Sequence, residues 1–394
     1  MDTSTLSRWI VEHATASDDA YALLDGVCRG LLEMGLPLWR VTAGTLTLDP
    51  GTRASSLHWY AGEGARFAPD PHGAERVAAF QRSPVHLLTM LGKPSGRWRL
   101  DRPGDADDLP LFDELRAQGG TDYVLHVFAF APDTALGGGM LSFTTRSAAG
   151  FADAEIDVID ALRPVLGLAL AKLGLSRTLR EVLSVYVGHT TGARVLQGQI
   201  RRGEGRTVPA AILLADLRGF TALTDRADPL AVVGWLDEHF DALGKPVAGH
   251  GGEILKFVGD GFLAIFPVRD AEARACPTCD AALDAAADAL RANDALNARR
   301  RAAGLPELAA DLVLHFGEVV YGNVGSDRRL DFTVIGRAVN EASRIEGHCE
   351  TLGRALLISE SFASRCGRTL EAVGTVSLRG LSAPQRVWSV SGPG

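Results

Sequence analysis

Apolar and polar positions recur with a helical period in some stretches of this chain and a strand period in others, and the switches between them divide it. From Thr5 to Met34 the apolar residues fall at helical spacing. Runs at 39–46 and 56–60, and again at 122–130 and 138–144, read as strands. A helical segment at 111–117 leads into the second pair, and a longer helix from Asp153 to Leu173 closes the set. Helix, two strands, an excursion, two strands and a closing helix predict an α+β module over residues 1–174. Beyond it, Leu175, Leu179, Val182 and Tyr186 form a heptad-like stripe, read either as an amphipathic helix packed on one of its own domains or as a dimer stalk. Glycines at 188, 192, 198, 203 and 205 then loosen the chain, so residues 175–205 read as a helical linker and 206–394 as a second domain.

In that second domain the run Ala210 to Ala215 reads as a buried strand, followed by a helical region from Thr221 to Val247. Residues 253–258 and 262–266 read as two strands joined at Gly259-Asp260-Gly261. An alanine-rich helix around 281–303, strands at 310–316, 319–325 and 331–336, and a helix from Ala338 complete the series. Strands separated by helices and hairpins in turn predict a mixed or antiparallel sheet with helices on one face. Asp216 and Asp260 each stand where an apolar run meets glycine. Mg²⁺ is usually held by one or two carboxylates, with phosphate oxygens and water completing its shell, so two strand-end aspartates suit a metal-nucleotide and point to phosphoryl chemistry.

Composition narrows the field. With 394 residues and 46% hydrophobic content the chain has material for two globular domains. A net charge of -8 gives no basic footprint for nucleic acid. The N-terminus lacks a basic segment followed by an apolar core, and the most apolar helical stretch, 158–175, is interrupted by Asp160, Arg163, Pro164 and Lys172, so no membrane span and a cytoplasmic location are expected. The five cysteines read as reduced thiols, with Cys276 and Cys279 structural at the start of the alanine-rich helix. Aromatic and histidine side chains in the N-terminal strands, His58, Trp59, His126 and Phe128, read as core before they read as a pocket.

Five motifs in order, Asp216-Leu217-Arg218-Gly219-Phe220-Thr221, Lys256-Phe257-Val258-Gly259-Asp260, Gly322-Asn323-Val324-Gly325, Phe332-Thr333-Val334-Ile335-Gly336 and Val339-Asn340-Glu341-Ala342-Ser343-Arg344, resemble the catalytic domain of class III nucleotidyl cyclases. The N-terminal module resembles a GAF-type sensory domain in layout alone. The first resemblance implies a ferredoxin-like α+β catalytic domain that closes ATP to 3′,5′-cyclic AMP with loss of pyrophosphate. It implies two Mg²⁺ or Mn²⁺ ions bridged by Asp216 and Asp260, with the Leu217 carbonyl on one ion. The backbone N–H groups of Gly219, Phe220 and Thr221 would face phosphate oxygens. Asn340 would orient the ribose and Arg344 the α-phosphate, and four residues of separation puts both on one helix face. Lys256 and Thr333 stand at the base-reading positions: a lysine donates to adenine N1 and a threonine oxygen accepts from N6, so ATP is expected over GTP. Arg379 matches the place of a residue that reaches the terminal phosphates.

In this family the metal aspartates come from one copy and the base-reading and Asn/Arg residues from another, so a homodimer is implied. Threonine at 333 resembles the subclass that includes bicarbonate-responsive enzymes, which puts bicarbonate beside other small molecules as an expected regulator. Arg337 departs from the acidic or small polar residue many relatives carry. The alternatives are a guanylate cyclase and a nucleotide-binding sensor without turnover. A dinucleotide cyclase of the GGDEF type is suggested only by Gly251-Gly252-Glu253 and leaves Asn340 and Arg344 unexplained.

Overall fold

The computed structural model describes the chain except residues 47–51, 72–73, 103–108, 132–135, 204, 226, 269–275, 327–328, 381–382 and 391–394. It divides into two compact units, Met1–Val182 and Leu183–Gly394.

The first unit opens with α1 (Thr3–Ala16) and α2 (Ala20–Glu33), where a single helical segment is expected. The break follows from capping: the Asp19 carboxylate accepts the N–H groups of Tyr21 and Ala22 at 3.0 Å each and starts a new helix. Next come β1 (Leu38–Leu46), β2 (Thr52–Tyr60), β3 (Gly64–Pro71), α3 (Ala74–Gln81), α4 (Pro84–Met90) and β4 (Ser95–Arg99). Then follow α5 (Pro110–Ala117), β5 (Asp122–Phe128), β6 (Gly139–Thr145) and α6 (Asp153–Val187). Among the described residues these strands form one antiparallel sheet in the order β3-β2-β1-β6-β5-β4. One core gathers Leu6, Ile10, Val27 and Leu31 with Phe143, Ile159 and Leu162; another gathers Phe112, Leu115 and Tyr123. Trp59 and His126 are buried, as core residues. The helix expected to close at Leu173 runs on to Val187 and carries the stripe, of which Leu175, Leu179 and Tyr186 are exposed.

The second unit contains α7 (His189–Leu196), β7 (Gly205–Leu217), α8 (Phe220–Thr224), α9 (Pro229–Gly249), β8 (Glu253–Val258) and β9 (Gly261–Pro267). It continues with α10 (Pro277–Ala302), β10 (Ala310–Ser326), β11 (Arg329–Ile335), α11 (Arg337–Glu346) and α12 (Cys349–Leu352). It ends with β12 (Leu356–Ser359), α13 (Glu360–Ala363), β13 (Leu370–Val376) and β14 (Gln385–Val390). The sheet order is β13-β14-β12-β10-β7-β9-β8, with β11 paired to the far end of β10. The pairing is antiparallel except between β10 and β12.

Helices cover both faces of this sheet, where one face is expected. Alternate residues of β7 explain it: Ala211, Leu213 and Ala215 pack with Leu243 and Val247 of α9 and Ala282 and Ala286 of α10, while Ala210 and Ile212 pack with Ala338, Ala342 and Ile345 of α11. A strand apolar at every position is a strand buried twice. Strands expected at 310–316 and 319–325 are one strand, and Gly317 lies where α11 crosses it: a Cβ there would come within 2.6 Å of the Ala338 Cβ. The helical region expected from Thr221 is likewise split, because Asp228 caps the N–H of Leu230 and Pro229 opens α9. Among the described residues no helix is long and apolar enough to cross a membrane.

Candidate active site

Asp216 is the penultimate residue of β7, on the face that α11 covers. The register that pairs Ala215 with Phe262 sets the following residue, Asp216, beside Gly261 in the β8–β9 turn. The approach is close enough that a Cβ on Gly261 would lie 2.3 Å from the Ala215 carbonyl oxygen and 2.7 Å from Asp216 Oδ1, so only glycine fits. That contact brings Asp260, the residue before, to the Asp216 carboxylate. Across the other edge of β7, Asp311 is the direct partner of Asp216. Burial, then Asp260, then Glu346 at the end of α11, then Asp311 push the Asp216 carboxyl up to about 7, against a slight downward pull from the Leu217 N–H. Glu346 is itself raised by burial and by Asp311 and Asp260. The named charges acting on Asp216 are all acidic.

Two carboxylates crowded until one holds its proton near neutrality form a site that a divalent cation relieves, and the oxygen donors suit a hard ion. Among the described residues no group of three or more His, Cys, Asp or Glu side chains could hold a metal ion by itself. Asp216 and Asp260 therefore fit a cation that arrives with nucleotide oxygens, rather than a cage made wholly of protein.

Past Leu217, whose side chain is buried against Leu296 and Leu308, the chain turns at Gly219 with φ of 69° and enters α8. Phe220 and Leu223 pack against the same small cluster, and among the described residues no side chain caps the N-terminus of α8. The N–H groups of the first turn are the groups a helix leaves unpaired, so Gly219, Phe220 and Thr221 have donors to offer beside Asp216.

The other expected residues gather separately. Lys256 lies on β8 and Thr333 on β11, and these strands approach to Cα separations of 8 Å or less. Thr333 is 4% exposed, and its Oγ1 has no hydrogen-bond partner among the described residues. Asn340 and Arg344 project from the exposed side of α11, opposite the face that buries Ala338, Ala342 and Ile345. The Arg344 guanidinium reaches toward the segment holding Arg379: a Cβ on Gly380 would lie 3.7 Å from its Nη1. Two residues along a helix are separated by about 200°, so Arg344 points away from Glu346 and the carboxylates that surround it. One chain thus brings together Asp216, Leu217, Asp260 and the α8 turn, and separately sets Arg344 by Gly380 and the strand of Lys256 near the strand of Thr333. Arg337, the departure from pattern, pairs with Glu341 at 2.6 Å one helical turn on.

Sequence reasoning passes over Asp311, Glu346 and the side chain of Arg218. The Arg218 Nε donates to both Asp311 oxygens at 3.1 Å, and its Nη2 also donates to Oδ1. The signal for Asp311 is an acid inside the apolar run 310–316, where an unpaired charge is costly.

Residues 204–391 match the Adenylate and Guanylate cyclase catalytic domain. The second unit belongs to the class III nucleotidyl cyclase family. The chain is 35% identical over 182 residues to "Adenylate cyclase" of Anabaena cylindrica, covering 46% of this chain and 34% of that protein. It is 34% identical over 183 residues to "Adenylate cyclase 1" of Rhizobium meliloti, covering 46% of this chain and 27% of that one. The matched segment thus spans about a third of the length of these relatives. A solved structure of a bacterial light-regulated adenylyl cyclase aligns over 89% of this chain and 93% of its own with a TM-score of 0.50 and 16% identity, a likeness of fold alone.

Proposed function

We propose that this chain is an adenylate cyclase that makes 3′,5′-cyclic AMP and pyrophosphate from ATP at composite sites of a homodimer, under control of a GAF-like N-terminal unit. The observation that carries the reading is the division of the site. In the acidic half around Asp216 and Asp260 the Arg218 guanidinium is tied up by Asp311, and Arg344 stands by Gly380, next to Arg379, on a separate exposed surface. Two copies related by a twofold axis can each supply what the other lacks. The names of the two curated relatives support adenine as the base.

In this reading Asp216 and Asp260 anchor the metal-nucleotide, and divalent cations, when bound, lower the pKa of the ribose 3′-hydroxyl and offset the triphosphate charge. The α8 turn donates N–H groups to phosphate oxygens. Asn340 of the other copy fixes the ribose so that its 3′-oxygen lies in line with the leaving pyrophosphate, and Arg344 donates to the α-phosphate as charge builds there. Lys256 donates to adenine N1, and Thr333 Oγ1 accepts from N6, which gives the orphaned hydroxyl its partner.

The test is cyclic nucleotide production by the full chain with ATP or GTP and Mg²⁺ or Mn²⁺. Cyclic AMP is expected; cyclic GMP as the main product would make it a guanylate cyclase, and no product with either would leave a nucleotide-binding sensor. Asp216→Ala and Arg344→Ala are each expected to abolish turnover. An equimolar mixture of the two variants should recover about a quarter of wild-type activity, because half the dimers are mixed and each holds one intact site. Recovery absent at dimer-forming concentrations would count against the composite site. Lys256→Glu should cut kcat/KM for ATP by at least about a hundredfold, since a mispaired buried polar contact discriminates strongly; unchanged ATP kinetics would remove Lys256 from base reading.

A further inference from the structure

Asp311 is a buried acid that the phosphoryl chemistry does not require. It is 4% exposed and directly faces Asp216 across the β7–β10 ladder, an arrangement in which like charges repel. Left free, it is a third carboxylate beside a site that needs phosphate oxygens and water in its metal shell. Arg218 is its hydrogen-bond partner instead. Its planar fork spans both Asp311 oxygens, with Nε 3.1 Å from each. Its backbone N–H is held by the Ala309 carbonyl at 2.8 Å. Main chain and side chain of one residue are thus tied to the start of β10 and to the residue just before it, immediately after Leu217 and immediately before the Gly219 turn.

We infer that Arg218 is a positioning residue that withholds Asp311 from the metal ions and fixes the Leu217–Gly219 turn toward the phosphates. The inference rests on the reading of Asp216 and Asp260 as the metal carboxylates. It accounts for an arginine two residues after Asp216, where an unpaired cation would otherwise weaken cation binding. It also predicts that the pair works as a charge-balanced unit: removing the arginine releases a competing carboxylate, and removing the acid releases a repelling cation.

The experiment is equilibrium Mn²⁺ binding to the full-length protein with 3′-deoxy-ATP, which lacks the attacking hydroxyl, followed by the electron paramagnetic resonance signal of free Mn²⁺. Arg218→Met should tighten Mn²⁺ binding about five- to tenfold, and Asp311→Asn should weaken it by a similar factor, the scale of one unit charge near the site at high effective dielectric. The double variant should return to within about twofold of wild type, because the two charges cancel. Arg218→Lys keeps the charge without the fork and should tighten binding only about twofold, which keeps the test available if the methionine variant does not fold. A pair that merely braces the fold would lower stability in all variants and move Mn²⁺ affinity in one direction or not at all, and either result overturns the inference. Asp216→Ala serves as the control. If it leaves Mn²⁺ binding intact, the metal reading itself fails and the role of Arg218 falls with it; if it abolishes binding while Arg218→Met matches wild type, the role of Arg218 alone fails.

Discussion

Asp216 shows how much one side chain records about its surroundings. In the unfolded chain its carboxyl titrates near 3.8; folded and without metal it is pushed up to about 7, first by burial and then by Asp260, Glu346 and Asp311. Between those values the folded protein binds a proton that the unfolded chain has released, so stability falls as pH rises through the window and is level above it. Asp216→Asn removes the titration. The variant should be no more stable than wild type near pH 4 and more stable above pH 7, by on the order of 1–2 kcal/mol, because solvent reaches the half-buried carboxylate and screens part of the repulsion. Thermal melts of metal-free protein across that range check it, and a difference independent of pH would mean that Asp216 is not the strained group. Adding Mg²⁺ with ATP should close the gap by stabilising wild type and not the variant.

Elements hold these residues to one another through contacts that are partly written in the chain. The apolar run 210–215, the hairpin at Gly259-Asp260-Gly261 and the periodic helix after Gly336 are visible because each has a plain period or a turn signal. What the sequence hides is what a period does not encode. Helices on both sheet faces depend on how β7 is covered from each side, although its unbroken apolar run already carries the hint. The splits at Asp19 and Asp228 hinge on single caps inside otherwise helical patterns. The pairing of Arg218 with Asp311 joins positions far apart in the chain and follows only from the β7–β10 register. Gly261 is the point at which element packing decides the chemistry. Gly261→Ala places a Cβ against the Ala215 carbonyl and the Asp216 carboxylate, so the hairpin has to move away from β7. We expect a loss of about 2 kcal/mol or more in stability and near-complete loss of cyclase turnover. Calorimetry and the cyclic AMP assay read the two effects, and full activity would show that the hairpin and Asp216 need not touch.

For the molecule as a whole, the proposed homodimer would make the stripe on α6 the connection between assembly and turnover. Its bland alternative, a helix packed on its own domain, leaves these side chains covered, yet Leu179 is 51% and Tyr186 82% exposed within the single chain. In the proposed dimer the same row on a second copy would complete this one, and each catalytic site would then depend on that association. Specific activity should accordingly fall on dilution, with a midpoint at the dimer dissociation constant. Leu179→Glu, which puts a charge in the seam without touching any residue of the site, should shift that midpoint upward by at least about tenfold and leave activity at high protein concentration near wild type. Sedimentation velocity run beside the activity titration checks the coupling. Turnover that is independent of concentration while the protein sediments as a monomer would mean that one chain completes its own site, and the division between the Asp216 half and the Arg344 half would then need a closing motion within the chain instead of a partner.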